Sequence, residues 1–218
     1  MNALSGIGMT SERTRARMIE RVREQGVHDQ RALVALAAVP RHIFVEEAMA
    51  HRAYEDTALP LILGQTISQP FIVARMIELL LEGRNKLGKT LEVGAGCGYQ
   101  AAVLAQLSNE VYGVERLGPL LARARENLKA LKLTRIRLKH GDGMVGLPEA
   151  APFDSIIVAA AGMGIPQALC DQLAIGGRLV IPVGSGDQVL VLIERTPDGL
   201  VEKRFDAVRF VPLLPGVA

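Results

Sequence analysis

Leu91-Glu92-Val93-Gly94-Ala95-Gly96-Cys97-Gly98-Tyr99-Gln100 is the stretch on which the fold turns. It closes a short apolar run over 89–93, passes through three alternating glycines and enters a helical pattern over 99–107. A strand that runs through glycines into a helix marks a ligand-facing turn of a parallel sheet. Glycine lets the backbone turn sharply and come close to a bound molecule at the carboxyl edge. The spacing is not that of the dinucleotide fingerprint. G-x-G-x-x-G needs glycine at 99, where Tyr99 stands.

Downstream, strand patterns at 110–115, 136–140, 153–161 and 178–183 alternate with helical patterns at 118–131 and 166–173. Runs at 188–195 and 205–213 flank the turn Pro197-Asp198-Gly199 as an antiparallel pair. The expected class is α/β: a doubly wound, mainly parallel sheet with an antiparallel C-terminal edge. Upstream, Thr10 or Ser11 can cap a basic helix ending near Gly26, and Asp29 can cap a second helix closed by Pro40. A third helix is expected over 42–50, an extended stretch over 59–70, and a helix over 71–82 with Pro70 in its first turn. Residues 1–85 thus read as a helical N-terminal extension and 86–218 as the ligand-binding core of a single domain.

Composition narrows the function. The chain of 218 residues has 25 Lys+Arg against 23 Asp+Glu, a formal charge of +2, and no Trp. Near-balanced charge and few aromatic rings disfavour a nucleic-acid partner, which calls for a basic stripe or stacking platforms. Cys97 and Cys170 are too few for a disulfide framework or a four-ligand zinc site, and no metal site is expected. No apolar run approaches the ~20 residues that cross a bilayer, and residues 1–13 lack the apolar core of a signal peptide. A cytoplasmic protein with no membrane partner is the expectation.

Glu92, Glu115 and Asp142 fall at the carboxyl ends of three successive strands. Each alone could be a helix cap or a solvated turn residue; three together point to a site. Glu115 is spaced to accept hydrogen bonds from ribose hydroxyls, and Asp142, in Gly141-Asp142-Gly143, to reach an adenine amino group. A pyrophosphate avoids such carboxylates, whereas a cationic sulfonium with an amino-acid tail tolerates them, so S-adenosylmethionine suits this mouth better than NAD.

The chain resembles the protein-L-isoaspartate (D-aspartate) O-methyltransferase family, within the Rossmann-like methyltransferases. The resemblance spans about 10–214. It is carried by Val39-Pro40-Arg41-His42, by Ala53-Tyr54 with Asp56, and by Gly64-Gln65-Thr66-Ile67-Ser68-Gln69-Pro70. The glycine loop, Val114-Glu115-Arg116, Gly141-Asp142-Gly143, Gly176-Gly177-Arg178 and Phe210-Val211-Pro212-Leu213 complete it. The glycine loop is common to many methyltransferases; the segment around Ser68 is far more specific.

That resemblance implies methyl transfer from S-adenosylmethionine, leaving S-adenosyl-L-homocysteine, to the free α-carboxylate of L-isoaspartyl and D-aspartyl residues in damaged proteins and peptides, the start of their repair. It implies Ser68 as the active-site serine, Gln65, Thr66, Ile67 and Ser68 as substrate-binding, and Glu92, Gly94, Gly96, Gly98, Glu115, Asp142 and Gly143 as cofactor-binding. A monomer is expected. An α-carboxylate of pKa ~3.5 is already ionised at neutral pH, so no general base is needed. Ser68 therefore reads as a positioning donor and not a nucleophile, since no His or Asp motif accompanies it. It can equally cap the helix that starts at Pro70, and both roles can hold.

The chain departs from the family pattern at Ala95 and Cys97, usually Thr and Ser, and at Ala159, commonly Thr. Arg41 and His42 read as substrate contacts or as structure, with structure ahead. Two other readings stay open: a methyltransferase for another carboxylate or other acceptor, and a non-catalytic cofactor-binding module. The Ala159-Ala160-Ala161-Gly162 stretch lacks the Asn/Asp-Pro-Pro-aromatic loop of amino-methylating enzymes.

Overall fold

In the computed structural model, which describes residues 6–218, the chain enters through α1 (Glu12–Glu24). The first five residues of the stretch read for a leader lie outside the described residues. Ser11, not Thr10, caps α1, accepting from the Thr14 N–H. Met18, Ile19 and Val22 turn inward, while Arg13 and Arg17 are exposed and Arg21 reaches the Tyr54 carbonyl. α2 (Gln30–Ala38) is capped by Asp29, which accepts from the N–H groups of Arg31 and Ala32.

The helix expected over 42–50 does not form. Two 3-10 segments, Arg41–Phe44 and Glu47–Arg52, stand there instead, separated by extended Val45 and Glu46. Long-range contacts override the local pattern. The buried Arg41 donates through Nε to the Ala53 carbonyl at 2.9 Å, and Phe44 packs edge-on against Tyr99 at 5.5 Å. The stretch 59–70 is likewise folded back on itself. β1 (Leu59–Pro60) pairs antiparallel with β2 (Thr66–Ile67), Leu59 opposite Ile67, around an exposed tip at Ile62 and Leu63.

α3 (Pro70–Leu81) follows at once, with Pro70 at a position that needs no N–H donor. Its N-cap residue, Gln69, makes no side-chain cap bond. Asp56 caps it from a distance: Oδ1 accepts from the Phe71 N–H at 2.8 Å and Oδ2 from Gln69 Nε2 at 2.8 Å and Gln25 Nε2 at 2.6 Å.

The core contains β3 (Gly88–Val93), α4 (Tyr99–Leu104), β4 (Ser108–Glu115), α5 (Gly118–Ala130), β5 (Ile136–His140) and β6 (Phe153–Val158). α6 (Gln167–Asp171), β7 (Leu173–Val183), β8 (Gln188–Thr196) and β9 (Gly199–Val208) complete it. The strands form one sheet in the order β5-β4-β3-β6-β7-β8-β9, parallel through β7 and antiparallel beyond. Strict alternation buries both faces. Ile157, Val180, Leu190 and Leu192 join the cluster that holds α1 to α4, while Ile156, Val158, Leu179 and Ile181 pack with Leu147, Leu169 and Leu173.

The last strand ends earlier than its sequence pattern suggests. β9 stops at Val208, opposite Gln188, the first residue of β8, so residues 209–213 have no strand left to pair with. Gln188 takes over, its Oε1 accepting from the Phe210 N–H and its Nε2 donating to the Phe210 carbonyl. The freed segment crosses to the end of β6, where Ala161 N–H donates to Val211 O and Leu213 N–H to Ala161 O, both at 2.8 Å. Among the described residues no helix is long and apolar enough to cross a membrane.

Candidate active site

In an open α/β sheet the carboxyl ends of the strands, where the order reverses, form the natural crevice. Here that point is β3, with β4 on one side and β6 on the other. Glu92 is paired in register with Gly113 and Ile157, on the face covered by α1 to α4. Beyond Val93 the chain turns with positive φ at Gly94, Gly96 and Gly98. At Gly98 the requirement is also steric, since a Cβ there would sit 3.3 Å from Ala124 and Leu128 of α5.

Glu115 braces this loop from the end of β4. Its Oε2 accepts from the Gly96 N–H at 2.8 Å and its Oε1 from the Leu117 N–H at 2.9 Å. Glu92, by contrast, is 1 % exposed and its Oε2 has no hydrogen-bond partner among the described residues. Burial, and then the charge of Glu115, hold its carboxyl well above the usual carboxylate range; the nearby Gln100 amide offsets a little of that rise. Asp142 sits at the rim, its Oδ1 accepting from the Met144 N–H and its Oδ2 from the Gly216 N–H. Gly143 is packed so closely that a Cβ would lie 2.5 Å from Val93 Cγ1.

Three hollows meet above these strand ends. An inner one of about 330 Å³ is lined by Glu92, Gly94, Gly96, Gln100, Ile67 and Ser68. A second, of about 570 Å³, runs toward β4 past Glu115, Leu117, Gly143 and Gln65, and is walled by Val211 to Leu214. The third is an open groove of about 1400 Å³ bordered by Thr57, Thr66, Ser68, Arg209 and Phe210. Thr66 and Ser68 line both the inner hollow and the groove, and Ala159 lines all three. Ser68 Oγ makes no hydrogen bond among the described residues and does not cap α3, so its hydroxyl is available to a ligand on either side.

Of the residues singled out in the sequence, Glu92, Gly94, Gly96, Glu115, Gly143 and Gln65 to Ser68 are brought to these walls. Gly98 and Asp142 are not lining residues; Gly98 packs against α5 and Asp142 stands at the rim. Arg41 is buried away from the hollows, donating to the carbonyls of Ala53 and Thr57 with its guanidinium 4.8 Å from the Tyr99 ring. His42 Nδ1 lies 2.8 Å from the Tyr54 hydroxyl. Burial pushes the Cys97 thiol up to about 11, so it stays protonated at neutral pH. Sequence reasoning counted Asp56, Gln100 and 210–213 toward the resemblance but gave them no part in the site. The signal for Gln100 was an amide inside a wholly apolar helix.

Among the described residues the inner hollow is lined by no basic side chain, and it carries the buried carboxyl of Glu92. An acid there suits a cation with an amino-acid head better than a pyrophosphate. Among the described residues no group of three or more His, Cys, Asp or Glu could hold a metal ion.

Comparisons with known proteins agree with this geometry. A family model described as protein-L-isoaspartate(D-aspartate) O-methyltransferase matches residues 13–218. The chain is 72 % identical over 213 residues to a protein-L-isoaspartate O-methyltransferase of Dechloromonas aromatica, covering 98 % of this chain and 99 % of that one. It is 63 % identical to the protein of that name from an Azoarcus species, covering 94 % of each. Among solved structures it matches a Plasmodium falciparum protein described as a protein-L-isoaspartate O-methyltransferase, in complex with S-adenosyl-L-homocysteine. The TM-score is 0.81 at 28 % identity, covering 92 % of this chain and 98 % of that chain.

Proposed function

The chain belongs to the protein-L-isoaspartate(D-aspartate) O-methyltransferase family, and we infer that it methylates the free α-carboxylate of L-isoaspartyl and D-aspartyl residues in damaged proteins and peptides, initiating their repair. When bound, S-adenosylmethionine supplies an electrophilic methyl group on a sulfonium. The observation that supports this reading most directly is the shared wall. Ser68 and Thr66 border both the inner hollow over the glycine loop and the groove open to solvent, so one hydroxyl can touch a molecule entering from each side.

The roles follow from what each residue has free. The substrate carboxylate is ionised without help, so the protein must align it and exclude water. We assign Ser68 as the donor that orients that carboxylate, with Gln65, Thr66 and Ile67 shaping its approach. Glu92, in its ionised form, accepts from the cofactor's ammonium group. Each Glu115 oxygen spends one lone pair on a backbone N–H and keeps another for ribose hydroxyls. Gly94, Gly96 and Gly143 give the cofactor room, and Gly98 holds the loop against α5. Asp142 keeps a lone pair on each oxygen for the adenine amino group. We take the protein to act as a monomer in the cytoplasm, with neither nucleic acid nor membrane as partner, a reading supported by its near-balanced charge.

The test is a pair of peptides that differ only in whether one residue is isoaspartyl or aspartyl, incubated with labelled S-adenosylmethionine. Label in the isoaspartyl peptide alone is expected. Equal labelling of both would favour a methyltransferase for other acceptors.

A further inference from the structure

Gln100 is the second residue of α4, a helix whose six residues are all buried and otherwise read Tyr, Ala, Ala, Val and Leu. It is 6 % exposed, and its amide stands close enough to Glu92 to favour that carboxylate a little, yet neither its nitrogen nor its oxygen completes a hydrogen bond among the described residues. A buried amide left unpaired destabilises the fold that carries it, so each one asks for a specific explanation. Gln100 lines the inner hollow together with Glu92, whose Oε2 is also without a partner. Three unpartnered polar side chains on one small wall, Glu92, Tyr99 and Gln100, point to a ligand with matching groups.

Their chemistry narrows that ligand. A carboxylate only accepts, whereas an amide supplies one acceptor and one N–H donor group. Among the described residues no basic side chain lines the hollow, and Gln100 is the one side-chain N–H donor on it, beside the hydroxyls of Thr66, Ser68 and Tyr99. A carboxylate acceptor beside an amide N–H donor, with those hydroxyls around them, matches an α-amino-acid zwitterion, whose ammonium and carboxylate diverge from one carbon. Resting on the cofactor reading above, we propose that Gln100 acts with Glu92 to hold the amino-acid head of the cofactor, the amide donating to its carboxylate while Glu92 accepts from its ammonium. Gln100 is then the residue by which the site prefers the intact cofactor over its truncated thioether.

Calorimetric titration of Gln100→Met, similar in length but apolar, with S-adenosyl-L-homocysteine and with 5′-methylthioadenosine separates this role from a structural one. Loss of a hydrogen bond to a charged group should weaken S-adenosyl-L-homocysteine by about tenfold or more. The thioether, which lacks the amino-acid head, should bind within about twofold of the parent, by the same accounting of contacts. The ligand-free protein should melt no lower than the parent, since the substitution removes an unpaired amide. Unchanged affinity for S-adenosyl-L-homocysteine, or an equal loss for both ligands, would overturn the assignment. A parent protein that binds neither ligand would overturn the cofactor reading itself, and this one with it.

Discussion

Asp56 offers the sharpest check on how the active-site segment is held. Its carboxylate ties together three pieces of chain: Gln25 after α1, Gln69 just beyond Ser68, and the Phe71 N–H in the first turn of α3. Asp56→Ala removes a capping bond, costing about 0.5–2 kcal/mol. The charge-assisted bond to Gln69 adds about 1 kcal/mol once solvent access is allowed for. The exposed Gln25 amide can turn to water and adds little. A total of about 2–3 kcal/mol should lower the melting temperature by roughly 5–10 °C in a chain of this size.

The same change should reach the chemistry. Ser68 stands two residues before α3, so releasing the helix start lets the hydroxyl drift, and kcat/KM on an isoaspartyl peptide should fall about tenfold or more. Asp56→Asn gives an internal control. It can still accept from Phe71 but turns a donor toward two amide donors, so its loss should be intermediate. Thermal melts by circular dichroism and steady-state kinetics read both effects. An Asp56→Ala protein that melts within about 1 °C of the parent would refute the capping argument.

Ser68→Ala should reduce turnover about ten- to a hundredfold, the value of one donor to a charged group, while calorimetric affinity for S-adenosyl-L-homocysteine stays near normal; a large affinity loss would mean the residue serves the cofactor instead. Glu115→Ala should do the reverse, weakening S-adenosyl-L-homocysteine about tenfold or more and lowering stability as the Gly96 and Leu117 N–H groups lose their acceptor. A purely catalytic defect would count against the ribose assignment. Glu92 should leave a pH signature on the ligand-free protein. Its raised carboxyl binds a proton more tightly in the folded than in the unfolded state. The stability it contributes is therefore full below the unfolded value of ~4.3 and lost as pH rises through the raised folded value. Glu92→Gln cannot ionise, so its melting temperature relative to the parent should climb across that window. A difference that ignores pH would contradict the account.

Where a pattern is set by neighbours in sequence, it was legible. Ser11 and Asp29 cap their helices as local hydrogen-bond acceptors, Pro70 opens α3, and the strands at 136–140 and 110–115 stand close to their expected bounds. Where the partner lies far along the chain, the pattern misled. Nothing near His42 reveals that Arg41 will hold the carbonyl of Ala53, or near Phe210 that Gln188 will replace the strand ladder. The candidate site divides in the same way. Its glycines and acids follow from strand ends, whereas the wall at 211–214 depends on a crossing to Ala161.

The sequence by itself determined the class of sheet, the position of the ligand-facing loop and the family, because alternation, glycine turns and the Gln65-to-Pro70 segment are local signals. Only the tertiary structure decided the order of the last two strands, with β9 as the outer edge, and the meeting of three hollows at Ala159. It also decided that Glu92 and Gln100 are buried together without partners. The reason is physical. Desolvation and packing depend on which distant surfaces come together, and neither is written in the spacing of residues along one strand or helix.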